Sequence, residues 1–201
     1  MIAILTGDII NSEHYKASDW IEILKNHLSA WGTTPKDWEI YRGDEFQLKV
    51  TAEKALEVAV GLKAKIKTIK GLDVRMGIGI GTETFKGVSV SESNGTAYQF
   101  SGRVFENLKD QKLSLAIATE NEEVNQTLNL VVRLALDFMD DWSPVSAECI
   151  ALSLDHPELQ QQEIADKLGI NQSAVSQRQK RARLDLVQQV LAFYKTKIIS
   201  V

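Results

Sequence analysis

The sequence predicts an α+β fold: a ferredoxin-like βαββαβ core followed by a small all-helical module. Three observations carry this. Strand-like and helix-like patterns alternate from residue 2 to residue 118 in the order strand, helix, strand, strand, helix, strand, then a further helix and strand. The connection around Gly43 is short enough to require a hairpin. The stretch from Gln161 to Arg183 has the spacing of two short helices joined by a sharp turn.

Residues 2–7 form an apolar run and the first strand. From Ser18 to Trp31, the apolar residues Trp20, Ile21, Ile23, Leu24, Leu28 and Trp31 recur at helical spacing, with Ser18 expected as N-cap and Gly32 as the C-terminal stop. Residues 38–42 and 45–51 are two strands joined around Gly43, and residues 52–69 are a helix rich in Ala, Leu, Val, Ile and Lys. Residues 73–80, DVRMGIGI, alternate as a strand. The Gly-, Ser- and Thr-rich residues 82–94 suit a loop or hairpin. Residues 96–109 suit a helix, 113–118 a strand and 121–140 a long helix. A βαββαβ order places helices on one face of the sheet and makes the first and third strands antiparallel neighbours. Trp142-Ser143-Pro144 marks the boundary between residues 1–141 and 142–201, because Pro suits the first helical turn after a Ser.

With 201 residues, 44% of them hydrophobic and 25% charged, the chain has the composition of an ordinary globular protein with enough apolar material for a core. Cys149 is the only cysteine, which excludes an intramolecular disulfide; it falls on an apolar helix face beside Ile150 and is expected to be buried. The three histidines are scattered without metal-ligand spacing. No charged leader or membrane-length apolar run is evident, so a cytoplasmic protein without membrane association is expected. Residues 1–140 carry 20 acids and 16 bases, and residues 141–201 carry 7 of each. Within the neutral part, residues 171–183 hold Arg178, Lys180, Arg181 and Arg183 and no acid, a local basic face that would attract phosphates.

Two constellations bear on chemistry. Asp8 ends the first strand and Asp44 lies in the Gly43 turn, so the expected adjacency of the first and third strands would bring the two carboxylates together. Hard oxygen ligands of this kind suit Mg2+ or Mn2+, with phosphates and water completing the shell. Such a centre could activate a hydroxyl and neutralise a triphosphate leaving group. Glu45 would join only if the turn broke strand alternation, and Asp44 could equally serve the turn itself.

The second constellation is QQEIADKLGINQSAVSQRQKRA. Ala165 is small where two helices cross, Gly169 permits a left-handed turn, and Ile164, Leu168, Ile170 and Val175 supply the contacts that hold the helices at their angle. Asn171 can cap the second helix. That helix then offers Gln172, Ser173, Ser176, Gln177, Arg178, Lys180 and Arg181, residue types that suit base edges and phosphates of double-stranded DNA. Such readers usually act as dimers on two half-sites. Leu184, Val187, Val190, Leu191, Tyr194 and Ile198 on the last helix are either core or a dimer seam.

The motifs also carry resemblances. TGDII, RGDEF, VRMGIGIG and GTAYQFSGRVFENL resemble, in order, the metal-binding strand, the Gly-Asp hairpin, a later strand and the Asn/Arg helix of class III nucleotide and diguanylate cyclases, over about residues 2–108. That resemblance implies a nucleotide-cyclase-like domain with Asp8 and Asp44 on the metals. It also places Arg103 at the transition state and Gln99 in the place of a ribose-orienting Asn, the last two acting across a homodimer. The chain departs from the pattern where Asp8 is followed by Ile9, Ile10, Asn11 and Ser12 rather than a Gly-Phe, and where Ile40 stands in place of an adenine-reading Lys. Residues 143–184 resemble region four of sigma factors. The whole chain resembles the SatD family, a cyclase-like domain joined to a helix-turn-helix. The resulting expectation is a DNA-binding regulator whose N-terminal domain dimerises and senses a nucleotide with a divalent metal. The alternatives are a metal-dependent nucleotide cyclase and an inactive dimerisation scaffold.

Overall fold

A computed structural model describes residues 1–199. The element order is β1 (Ile2–Ile10), α1 (Ala17–Ser29), β2 (Trp38–Tyr41), β3 (Glu45–Thr51), α2 (Ala55–Ile66), β4 (Asp73–Gly81), α3 (Thr96–Gln111), β5 (Leu115–Ala118), α4 (Glu122–Met139), α5 (Pro144–Asp155), α6 (Gln161–Leu168), α7 (Gln172–Ala182) and α8 (Leu184–Ile199). The fold is α+β: a five-stranded mixed sheet with helices, then an all-helical C-terminal region. The strands run in the order β2-β3-β1-β4-β5. The first four are antiparallel, with β1 beside β3 as expected and β4 on its other side, and β5 is parallel to β4 after the α3 crossover.

Alternation along the strands sorts the two faces. Ala3, Leu5 and Ile9 on β1, Phe46, Leu48 and Val50 on β3, and Val74, Met76, Ile78 and Ile80 on β4 share one face and enter the main core with Trp20, Leu24 and Leu28 of α1. Most of α2 is buried there, and α4 adds Leu128, Val132, Ala135, Leu136 and Met139. Each fully buried aliphatic side chain contributes roughly 1.5–3 kcal/mol.

The other face of β4 is Arg75, Gly77 and Gly79, and α3 lies directly on it. A Cβ on Gly79 would stand 2.1 Å from the Ala97 carbonyl oxygen and 2.2 Å from the Ser101 amide nitrogen. Helices therefore cover both faces rather than one. The alternation of MGIGIG gave β4 a bulky face for α2 and a bare one for α3, and only glycine lets a helix backbone approach this closely. Two further corrections concern α1. It starts at Ala17 after Lys16, not at Ser18, whose hydroxyl donates to Asp19. It ends at Ser29, short of Gly32, which serves a different need: a Cβ there would meet the Asp37 side chain at 2.5 Å.

The free edge of β5 is occupied by side chains of α4. Asn129 accepts from the Ile117 amide at 2.8 Å and donates to the Ile117 carbonyl at 2.7 Å. Asn125, one turn earlier, does the same for Thr119 at 2.7 and 3.0 Å. Two amides at i and i+4 thus reproduce the hydrogen bonds of a missing strand.

The helical region begins with Pro144 in the first turn of α5, as expected. Buried Trp142 donates from Nε1 to the Ala182 carbonyl at 3.0 Å, fixing the junction to the end of α7. The main core continues through Ala147, Ile150 and Ala151 of α5 and Val187, Tyr194 and Ile198 of α8, and the Tyr194 hydroxyl donates to the Ala52 carbonyl at 2.6 Å. Val187, Tyr194 and Ile198 are thus core, and Leu184, Val190 and Leu191 pack half-buried against it.

Candidate functional site: the outer face of α7

Helices α6 and α7 are joined by the three residues Gly169, Ile170 and Asn171. Gly169 takes the left-handed conformation at φ +63 and ends α6. The Asn171 side chain accepts from the Ala174 amide at 2.8 Å and starts α7. Cys149 of α5, Ile164 and Ala165 of α6 and Val175 of α7 close a small separate core beneath the turn. Burial there pushes the Cys149 thiol up.

A chain of amides holds the helices together. Gln172 donates to Gln161 at 3.0 Å, Gln161 to Gln179 at 2.8 Å, and Gln179 to the Ser153 hydroxyl at 3.0 Å. Gln172 itself and, beyond it, Ser173, Ser176, Gln177, Lys180 and Arg181 are exposed on α7, and none of them is an acid. Arg178 is placed differently. Its side chain turns towards α5, with Nη1 3.5 Å from Glu148. It sits beside Val175 and Ala182 on the inner side of α7.

At the far end of the sheet, the expected closeness of β1 and the hairpin is present. Gly7 pairs with Phe46, and the Ser12 hydroxyl donates to Asp44 Oδ2. Arg42 and Gly43 both have positive φ, which turns the chain tightly there. Asp8 pairs in register with Arg75 across β4 and accepts a two-pronged hydrogen bond from it, Nε to Oδ1 at 3.1 Å and Nη2 to Oδ2. Arg75 also lies 5.8 Å from the Phe105 ring centroid. Asp8 and Asp44 are therefore each engaged by a different partner. A divalent ion at Asp8 would have to displace a guanidinium that already matches its charge, so as arranged the pair does not form a ready-made cation cage. Among the described residues, no group of three or more His, Cys, Asp or Glu could hold a metal ion. Gln99 and Arg103 stand one turn apart on the exposed side of α3, facing away from the sheet.

Residue spacing gave no sign of a polar cluster on the open face of β3. Lys49 lies 3.1 Å from Glu83, which also accepts from the Tyr98 hydroxyl at 2.7 Å. Burial pushes the Glu83 carboxyl up, but the hydrogen bonds from Tyr98 and Lys49 outweigh it and leave the group below its ordinary range. The cluster fastens the 82–95 loop to the sheet.

A five-stranded mixed sheet with helices, followed by an all-helical C-terminal region that carries the solvent-facing polar helix α7, defines an α+β protein. A sequence model of the SatD family matches residues 1–192, and the chain belongs to that family. No curated protein and no solved structure matches it. Among the described residues, no helix is long and apolar enough to cross a membrane.

Proposed function

We propose that the chain is a cytoplasmic DNA-binding transcriptional regulator in which α7 enters the major groove. The observation that carries this is the outer face of α7: Ser173, Ser176, Gln177, Lys180 and Arg181 stand exposed on a helix that holds no acid and packs on α5 and α6 through a shared core. Amides and hydroxyls can pair with base edges, and Lys180 and Arg181 can meet phosphates. Arg178 has a supporting role here, since it ties α7 to Glu148. The sheet, with its 2-3-1-4 antiparallel order, supports a ferredoxin-like, cyclase-like module that serves as a sensor or platform for the reader.

The test is fluorescence anisotropy of the full chain on duplex DNA across a salt series. Lys180→Ala should weaken binding on all sequences and reduce the slope of log K against log salt by about one. Gln177→Ala should alter sequence preference instead. Unchanged binding by the Gln177→Ala, Lys180→Ala double variant would end the assignment of α7 as the reader.

A second reading has a nucleotide with Mg2+ or Mn2+ at Asp8 and Asp44, with sensing or turnover assisted by Gln99 and Arg103 of a second copy. It is favoured by the adjacency of β1 and the hairpin, and it requires Arg75 to release Asp8. Its signature is thermal stabilisation by a nucleoside triphosphate that depends on manganese and is lost in Asp44→Asn; no such stabilisation removes the reading.

A further inference from the structure

Helix α4 faces the core with Leu128, Val132, Ala135, Leu136 and Met139, and its outer side is only partly polar. Leu130 and Leu134, one turn apart, are 61% and 65% exposed. Beside Leu134 runs a groove of about 550 Å³ between α4 and α8, with Val131 and Phe138 on one wall, Leu186, Val190 and Phe193 on the other, and Asp137, Arg183 and Gln189 at its polar margin. Among the described residues this is an exposed leucine pair adjoining an apolar groove, a combination that marks an interaction surface.

The charges on α4 indicate what covers it. Arg133 and Asp137 flank Leu134, one turn apart and of opposite sign, and neither forms an ion pair within the described chain. A two-fold axis crossing α4 near Leu134 and Ala135 would set the helix antiparallel to its own copy. Each Arg133 would then meet the other copy's Asp137, and each Leu134 would lie over the other copy's groove. A surface complementary to itself under a two-fold operation is what an isologous dimer needs. From this we infer that α4 and α8 form a homodimer seam. The purpose of pairing rests on the DNA reading of α7, since two copies present two reading helices to two half-sites. This seam is distinct from the exposed side of α3 that carries Gln99 and Arg103.

The experiment is sedimentation equilibrium on the full chain. All substituted side chains are solvent-exposed, and far-UV circular dichroism verifies that each variant is folded. Wild type is expected to be a dimer. Arg133→Asp and Asp137→Arg should each weaken it about tenfold, because each creates two like-charge contacts, and the double exchange should restore it. Leu134→Glu should weaken it roughly a hundredfold. A monomeric wild type, a dimer indifferent to Leu134→Glu, or single exchanges not rescued by the double one would each overturn the seam. DNA binding by the same proteins separates the two readings. A dimer with this mutational pattern but no DNA affinity keeps the seam and removes the DNA reading, whereas DNA binding by a monomer does the reverse.

Discussion

Replacing Lys63 with methionine should show how much of the fold depends on one buried charge. The Lys63 side chain has no solvent exposure, and its Nζ donates to Asp73 at 2.8 and 2.9 Å, to the Ser114 hydroxyl at 3.1 Å, and lies 2.7 Å from Asp140. All three protons of the ammonium are used, and the group joins α2, β4, the start of β5 and the end of α4. Breaking a buried pair by removing one partner costs about 3–5 kcal/mol, because the remaining charge is left unpaired. Two features place Lys63→Met near the lower end. Asp140 is 45% exposed and can rehydrate, and Asp73 keeps Lys67 at 3.2 Å. A loss of about 3 kcal/mol in a chain of this length lowers Tm by roughly 6–12 °C. The control is Lys54→Met, which removes an ion pair of the same 2.8 Å length to Glu57 whose two side chains are 46% and 38% exposed. That pair is worth about 0.2–1 kcal/mol at most. Thermal unfolding followed by far-UV circular dichroism compares the two. Equal Tm shifts would refute the argument that burial, rather than distance, sets the strength of the Lys63 junction.

Two further outcomes are expected. His27 is buried, its Nε2 lies 3.0 Å from the Val58 carbonyl oxygen and Lys65 lies 3.2 Å from Nδ1; burial first and the Lys65 charge second lower its pKa from 6.5 to about 4. Between those values the unfolded chain binds the proton and the folded one does not, so this contribution is complete above pH 6.5 and is lost as pH falls towards 4, by up to about 3 kcal/mol. Urea unfolding of wild type and His27→Gln between pH 4 and 7 measures it, and identical pH slopes would show that His27 does not control that window. Gly79→Ala forces a methyl group into the α3 backbone and should cost about 3 kcal/mol, with α3 the first helix to lose hydrogen-exchange protection; a variant as stable as wild type would mean α3 can slide away from β4.

What was legible in the sequence was local. Strand alternation and helical periodicity gave the elements and the pairing of β1 with β3. The turn at Gly169 and the cap at Asn171 were legible because the residues that shape them adjoin one another. What escaped were partners brought together from distant segments. Arg178 looks like every other base on α7 until Glu148, thirty residues earlier, is seen to face it. Lys63 sits among alanines and leucines in a pattern that reads equally well as a solvated lysine, and only the positions of Asp73 and Asp140 explain its burial. Asp8 and Asp44 were correctly expected at one end of the sheet, but the register that pairs Asp8 with Arg75 depends on β4 lying on the other side of β1. The exposed Leu130 and Leu134 were hidden for a similar reason: α4 carries apolar residues on more than one side, and the sequence does not say which side the sheet takes.

The two asparagines on α4 also bear on the order in which the molecule can be made. In a chain growing from its N-terminus, Asn125 and Asn129 follow β5 and reach its edge only once α4 has emerged and docked. Until α4 has emerged and docked, the outward amides of Ile117 and Thr119 form an open template that any extended segment could match, including β5 of a neighbouring nascent chain. Closure of the sheet is thus delegated to a helix synthesised after it. A fragment ending between β5 and α4 would hold all five strands and still lack the means to stay single.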